Sequence, residues 1–134
     1  MPRRCKENSH FTDITMMKTG YKDIAPYVTK DGSEIRELLH PLHHGDMGVS
    51  VAEAVVHAGC LTALHRHIVT EEVYHVTAGR AIMTLGSERL LIEAGDTIHI
   101  SPGTIHNLEN IQDTPLKILC LCHPPYSHDD TELV

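Results

Sequence analysis

From about Ser33 onward the chain runs as short apolar stretches, many of them β-branched, broken at near-regular intervals by Gly, Pro, Asp and Asn. No stretch sustains a helical period. The pattern predicts strands near 33–40, 49–58, 61–66, 71–77, 80–85, 88–93, 97–101, 105–110 and 116–122. Ala78-Gly79 and Gly86-Ser87 read as tight corners that need a positive φ. Gly95-Asp96, Ser101-Pro102-Gly103 and Gln112-Asp113-Thr114-Pro115 mark further turns. Many short strands with turns between them predict an all-β sandwich or barrel. The organisation expected is a polar, irregular N-terminal arm over 1–30, a barrel domain over 31–126, and a polar, acidic tail over 127–134 that frays.

Composition narrows the function classes. The 134 residues are enough for one domain, and no apolar run nears the roughly 20 residues that span a membrane. The start, MPRRCKENSH, is basic with no apolar stretch behind it, so no secretory signal is expected. A formal charge of −7 repels phosphate backbones, and aromatics at 4% offer few stacking platforms; both argue against a nucleic-acid partner. The four cysteines follow no zinc-ribbon or CxxC spacing and read as free thiols in a reducing cytoplasm. The anomaly is twelve histidines, whose placement therefore matters.

His65-Arg66-His67 places two imidazoles at i and i+2, on one face of a strand, with Arg66 pointing away. Glu72 begins the next apolar strand, and a hairpin would bring it opposite the pair. His106 follows the Pro102-Gly103 corner, where another strand can face the same cavity. Glu71 is the rival carboxylate, but Glu72 is in phase with Tyr74 and Val76. Three imidazoles and one carboxylate suit manganese, iron, nickel, cobalt or zinc better than calcium or magnesium. On an octahedral ion they leave two positions open.

Gly59, His65, His67, Glu72 and Gly79 at these spacings resemble the first motif of the cupin superfamily. Gly95, Pro102, Gly103, His106 and Asn110 resemble the second, with Ser101 where some members carry proline. The match is to the small, single-domain bacterial-type cupins. It implies a double-stranded β-helix (jelly-roll) barrel of two antiparallel sheets with one divalent metal ion on His65, His67, Glu72 and His106. It further implies that Gly79, Gly95 and Gly103 serve turns, that Asn110 holds the second motif, and that N-terminal strands pack in a dimer.

Around this site, Tyr74 is expected on the cavity wall, with Arg36 and His99 as further cavity candidates. His57 and His75 read as hydrogen-bonded structural histidines, and His75 should face away from the metal. His40, His43 and His44 surround a loop and read as solvated. Cys120 and Cys122 share a strand face among Ile118, Leu119 and Leu121 and read as small buried hydrophobes. The segment Ser33–Leu39 is an edge strand that a second copy of the chain would cover, predicting a homodimer. The functional expectation is a metalloenzyme of dioxygenase, decarboxylase, isomerase or lyase type acting on an organic acid, sugar or related metabolite. The alternative is a non-catalytic module that binds a small ligand as sensor or store.

Overall fold

Alternation decides which residues of each strand face inward, and two sets of strands bury those faces against each other. The computed structural model describes residues 17–134. After a 3-10 turn at Tyr21–Asp23 the chain forms β1 (Tyr27–Val28), β2 (Glu34–Leu39) and a short helix, α1 (Pro41–His44). There follow β3 (Ser50–Val56), β4 (His65–His67), β5 (Glu71–Ala78), β6 (Arg80–Leu85), β7 (Glu88–Glu93) and β8 (Thr97–Ile100). The last strands are β9 (His106–Glu109), β10 (Leu116–His123) and β11 (Thr131–Leu133). They make a six-stranded sheet in the order β1-β2-β3-β10-β5-β8 and a five-stranded sheet in the order β11-β4-β9-β6-β7. The fold is thus all-β, with two antiparallel sheets, as the strand pattern predicts. Among the described residues no helix is long and apolar enough to cross a membrane.

The pairing register arranges the inward face of the larger sheet in rows. Ile35, Ala54, Ile118 and Val76 form one row; Glu37, Ala52, Cys120 and Tyr74 form the next; Ser50, Cys122 and Glu72 form a third. Polarity rises from the first row to the third. The apolar end packs against the smaller sheet, where Ala81, Met83 and Ile92 join Val76, Leu116 and Ile118 in a core almost closed to solvent. Each larger side chain buried there contributes about 1.5–3 kcal/mol. The polar end is left for a site.

Two glycines fix turns that matter to it. Gly79, between β5 and β6, has φ +86°, and a Cβ there would stand 3.0 Å from the Pro115 carbonyl oxygen and 3.2 Å from Leu116 Cα. Gly103 has φ +81°, and its N–H donates to the His67 carbonyl at 2.6 Å, tying the turn before β9 to β4.

The structure differs from the sequence reading in several places. Over 61–66 only the end is strand; Leu61 makes an isolated bridge to Glu109. The tail carries a strand: β11 pairs along β4, and Lys30 Nζ donates to the His128 and Thr131 carbonyls. The arm contains β1, which pairs with the start of β2, so this edge is partly covered by the chain itself. Residues 1–16 of the expected arm, Cys5 among them, lie outside the described residues.

Candidate metal centre

His65 and His67 leave β4 on one face, and His65 is the cross-strand partner of His106 on β9, their rings 4.2 Å apart. Glu72 comes from β5 in the opposite sheet. One ring nitrogen from each of His65, His67 and His106 lies within 4.8 Å of the other two. Glu72 Oε1 stands 3.2 Å from His67 Nε2 and 3.6 Å from His106 Nε2. All four side chains are buried.

The outer nitrogen of each ring has a fixed partner. His65 Nδ1 donates to the Ala63 carbonyl at 2.9 Å and His106 Nδ1 to the Thr104 carbonyl at 2.8 Å. His67 Nδ1 lies 3.0 Å from Thr131 Oγ1. That hydroxyl spends its own hydrogen on the Ser127 carbonyl at 2.9 Å, so it accepts from His67. In a neutral ring the proton therefore sits on Nδ1, and Nε2 presents its lone pair inward. Orienting partners of this kind are what metal-ligating histidines require.

Electrostatics keep Glu72 ionised. Burial alone would raise the Glu72 carboxyl, but the adjoining His106 and His67 rings outweigh it and hold the pKa at about 2. The Cys122 thiol donates to Glu72 Oε2 at 3.3 Å, and burial followed by the Glu72 charge pushes that thiol well up, so it stays a donor. Burial, then the charge of His106, lowers His65 and favours its neutral, metal-binding form. Glu72 Oε1 and His106 Nε2 are buried with no hydrogen-bond partner among the described residues. An anionic oxygen and imidazole lone pairs converging in a buried space call for a cation between them. The donor set fits a divalent transition metal.

The site borders a cavity with about 50 Å³ open to the centres of water-sized molecules, several times what one water needs. Tyr74 lines it, buried, with its ring 5.9 Å from that of His106. Burial, then the Glu72 charge, pushes its hydroxyl well above the ordinary value. Cys120 and Cys122 also line the cavity.

Several sequence candidates lie elsewhere. Arg36 is not in the cavity. It follows inward-facing Ile35 and so points out, donating to the Ile24 carbonyl and Tyr21 hydroxyl and lying 4.5 Å over the Tyr21 ring. His99 is exposed and bonds Glu71 at 2.9 Å, which also takes Glu71 away from the metal centre. His75 faces outward to Thr97, and His57 to Glu34. His40 is buried rather than solvated: Nδ1 caps α1 by accepting from Leu42 N–H, and Nε2 meets the Tyr126 carbonyl. Asn110 lies away from the histidine cluster, donating to the Val56 and Thr114 carbonyls while Gln112 N–H donates to its side-chain oxygen. Sequence reasoning missed Glu37, which shares the inward parity of Ile35. It also missed Tyr27 in the arm, Tyr126 at the last position of the expected barrel and Thr131 in the tail, none of which carries an alternation signal.

Fold and site together define a small two-sheet β-barrel with a buried three-histidine centre suited to a metal. Residues 52–122, just over half of the chain, match the family model for the cupin domain, and the chain belongs to that family. An uncharacterised protein of Methanocaldococcus jannaschii is 53% identical over 123 residues, covering 90% of this chain and 98% of its own. Among solved structures, the Streptomyces nucleoside dehydratase Pac13 superposes with a TM-score of 0.71 at 20% identity, covering 90% of this chain and 92% of its own. A Thermotoga maritima protein described as a predicted oxalate decarboxylase gives 0.65 at 23%, covering 77% and 95%. At these identities the structural likenesses speak for the fold.

Proposed function

We propose that this cupin binds one divalent transition-metal ion on His65, His67, Glu72 and His106 and is a metalloenzyme acting on a small oxygenated metabolite. The observation that carries the reading is the convergence of four buried donors, two with no other partner, on the border of a cavity. A bound divalent ion would supply Lewis acidity to an oxygen of the metabolite. The chain's own residues do the rest. The Ala63, Thr104 and Thr131 contacts aim the imidazoles, Cys122 holds Glu72, and Tyr74 closes the wall beside His106. The similar structures support the substrate class: one is a nucleoside dehydratase, with mutants solved with uridine, and the other is described as a predicted oxalate decarboxylase.

The test is elemental analysis of purified and reconstituted protein beside His65→Ala and Glu72→Ala. Close to one metal per wild-type chain, with strong loss in both variants, is expected; full occupancy in both would refute the ligand set. We also propose a homodimer through the part of β2 that β1 leaves uncovered. A solution mass of 14.9 kDa alone would refute that.

A further inference from the structure

Glu37 stands in an unusual place. It projects from β2 into a row otherwise made of Ala52, Cys120 and Tyr74, with Ile35 and Ala54 in the next row. It is only 7% exposed. One carboxyl oxygen, Oε1, accepts from the Tyr27 hydroxyl at 2.8 Å. The other, Oε2, is buried with no hydrogen-bond partner among the described residues. A carboxylate with one donor and an empty oxygen is costly to bury, and a purely structural role would satisfy both oxygens. Burial and the Glu37 carboxylate push the Tyr27 hydroxyl well above its ordinary value, so it remains a donor.

Its position explains what it faces. Glu37, Tyr27 and Tyr126 line both the cavity that borders the metal centre and a wider outer recess formed with His40, His43 and His128. Glu37 is thus where the inner cavity opens outward. Across the sheet it lies three strands from Tyr74 on β5, roughly 14 Å from backbone to backbone at ~4.8 Å per strand, and both side chains extend into the cavity and shorten that gap. Between them the surface is Ala52 and Cys120. The cavity therefore has the proposed metal centre at one end and, at the other, a carboxylate with an unpartnered oxygen; Ala52 and Cys120 floor it on this sheet, and Thr29, Lys30, Asp31 and Ser33 add to its lining, with Asp31 Oδ1 already taken by Ser33.

We propose that Glu37 is the ligand-recognition carboxylate of this cavity, receiving a hydrogen bond from a hydroxyl or ammonium group at the end of the bound molecule remote from the metal. The proposal rests on the metal reading above and narrows its substrate class. The metabolite is compact, with an oxygen function at one end and a hydrogen-bond donor at the other. A dicarboxylate long enough to reach Glu37 is rejected, because its second carboxylate would meet a like charge.

The test uses metal-loaded full-length protein, wild type and Glu37→Gln, with Glu37→Met as a second variant should the first fold poorly. The probes are butyrate, 4-hydroxybutyrate, 4-aminobutyrate and succinate, titrated by calorimetry. Wild type should bind the hydroxy and amino acids about ten- to hundred-fold tighter than butyrate, as a hydrogen bond to a charged group gives. Succinate should bind more weakly than butyrate. In Glu37→Gln the preference for 4-aminobutyrate should collapse and succinate should gain, with metal content unchanged. The same ranking in wild type and both variants would overturn the proposal, because Glu37 would then merely anchor Tyr27. Failure of every probe to bind would overturn it as well, and so would loss of metal from Glu37→Gln. Metal content is read separately by elemental analysis. If wild type holds no metal, the titrations on that metal-free protein still report whether Glu37 selects the ammonium probe.

Discussion

Replacing Thr131 by valine probes how far the C-terminal strand serves the metal centre. The hydroxyl is buried, accepts from His67 Nδ1 at 3.0 Å and donates to the Ser127 carbonyl at 2.9 Å. Valine keeps the branched shape and leaves the His67 N–H against a methyl group. An unmet buried donor costs about 1–3 kcal/mol. Without metal the ring escapes that penalty by rotating; with metal it must return, so the penalty falls on binding. At about 1.4 kcal/mol per tenfold, the loss in metal affinity should be about ten- to hundred-fold, the range found when a liganding histidine loses its outer partner. The assay is competition against a chromophoric chelator, with Thr131→Ser as the control that keeps the hydroxyl and should stay near wild type. An affinity for Thr131→Val within twofold of wild type would refute the reasoning.

Other outcomes follow from the same geometry. Gly79→Ala should lower stability by about 1–3 kcal/mol, since it combines a positive φ with a Cβ 3.0 Å from the Pro115 oxygen; an unchanged urea midpoint would contradict this. Metal-free protein should weaken on acidification in two stages. His65, lowered by burial and then by His106, stays neutral in the fold while the unfolded chain gains a proton, so stability falls as pH drops through about 6.5. Glu72, held at about 2, is ionised in the fold while the unfolded carboxyl protonates near 4.5, so its contribution is lost between those values. A urea midpoint that stays flat from pH 8 to pH 3 would exclude both effects. A thiol reagent should label exposed Cys60 in the native protein and spare Cys120 and Cys122, whose thiols burial pushes well up; adducts on the latter pair before unfolding, mapped by mass spectrometry, would contradict their placement.

The sequence was most informative where local signals and tertiary demand coincide. From β5 to β10, alternating apolar residues between Gly- and Pro-bearing turns fixed both the strands and the inward parity of Glu72, Tyr74 and Val76. The i, i+2 spacing of His65 and His67 was equally legible, because a strand offers one geometry for it. Elements held only by partners were not legible. Thr131-Glu132-Leu133 is too short to show a period, and its strand state comes from pairing with β4. His40 looked like a loop residue because its burial depends on a capping bond and on Tyr126. Arg36 carries a charge suited to an anionic substrate, but the parity of Ile35 turns it outward and Glu37 inward.

The division of the four donors between the sheets has a mechanical consequence. Three imidazoles belong to strands of one layer and the carboxylate to a strand of the other, at the end of the barrel where apolar packing gives out. An ion seated there would rivet the two layers at their loosest margin. Breathing of that margin would then be slow when the ion is in place and fast when it is gone. Amide exchange along β4, β9 and the start of β5 would report occupancy without any substrate present, while the apolar end around Met83 and Ile118 kept its own rhythm.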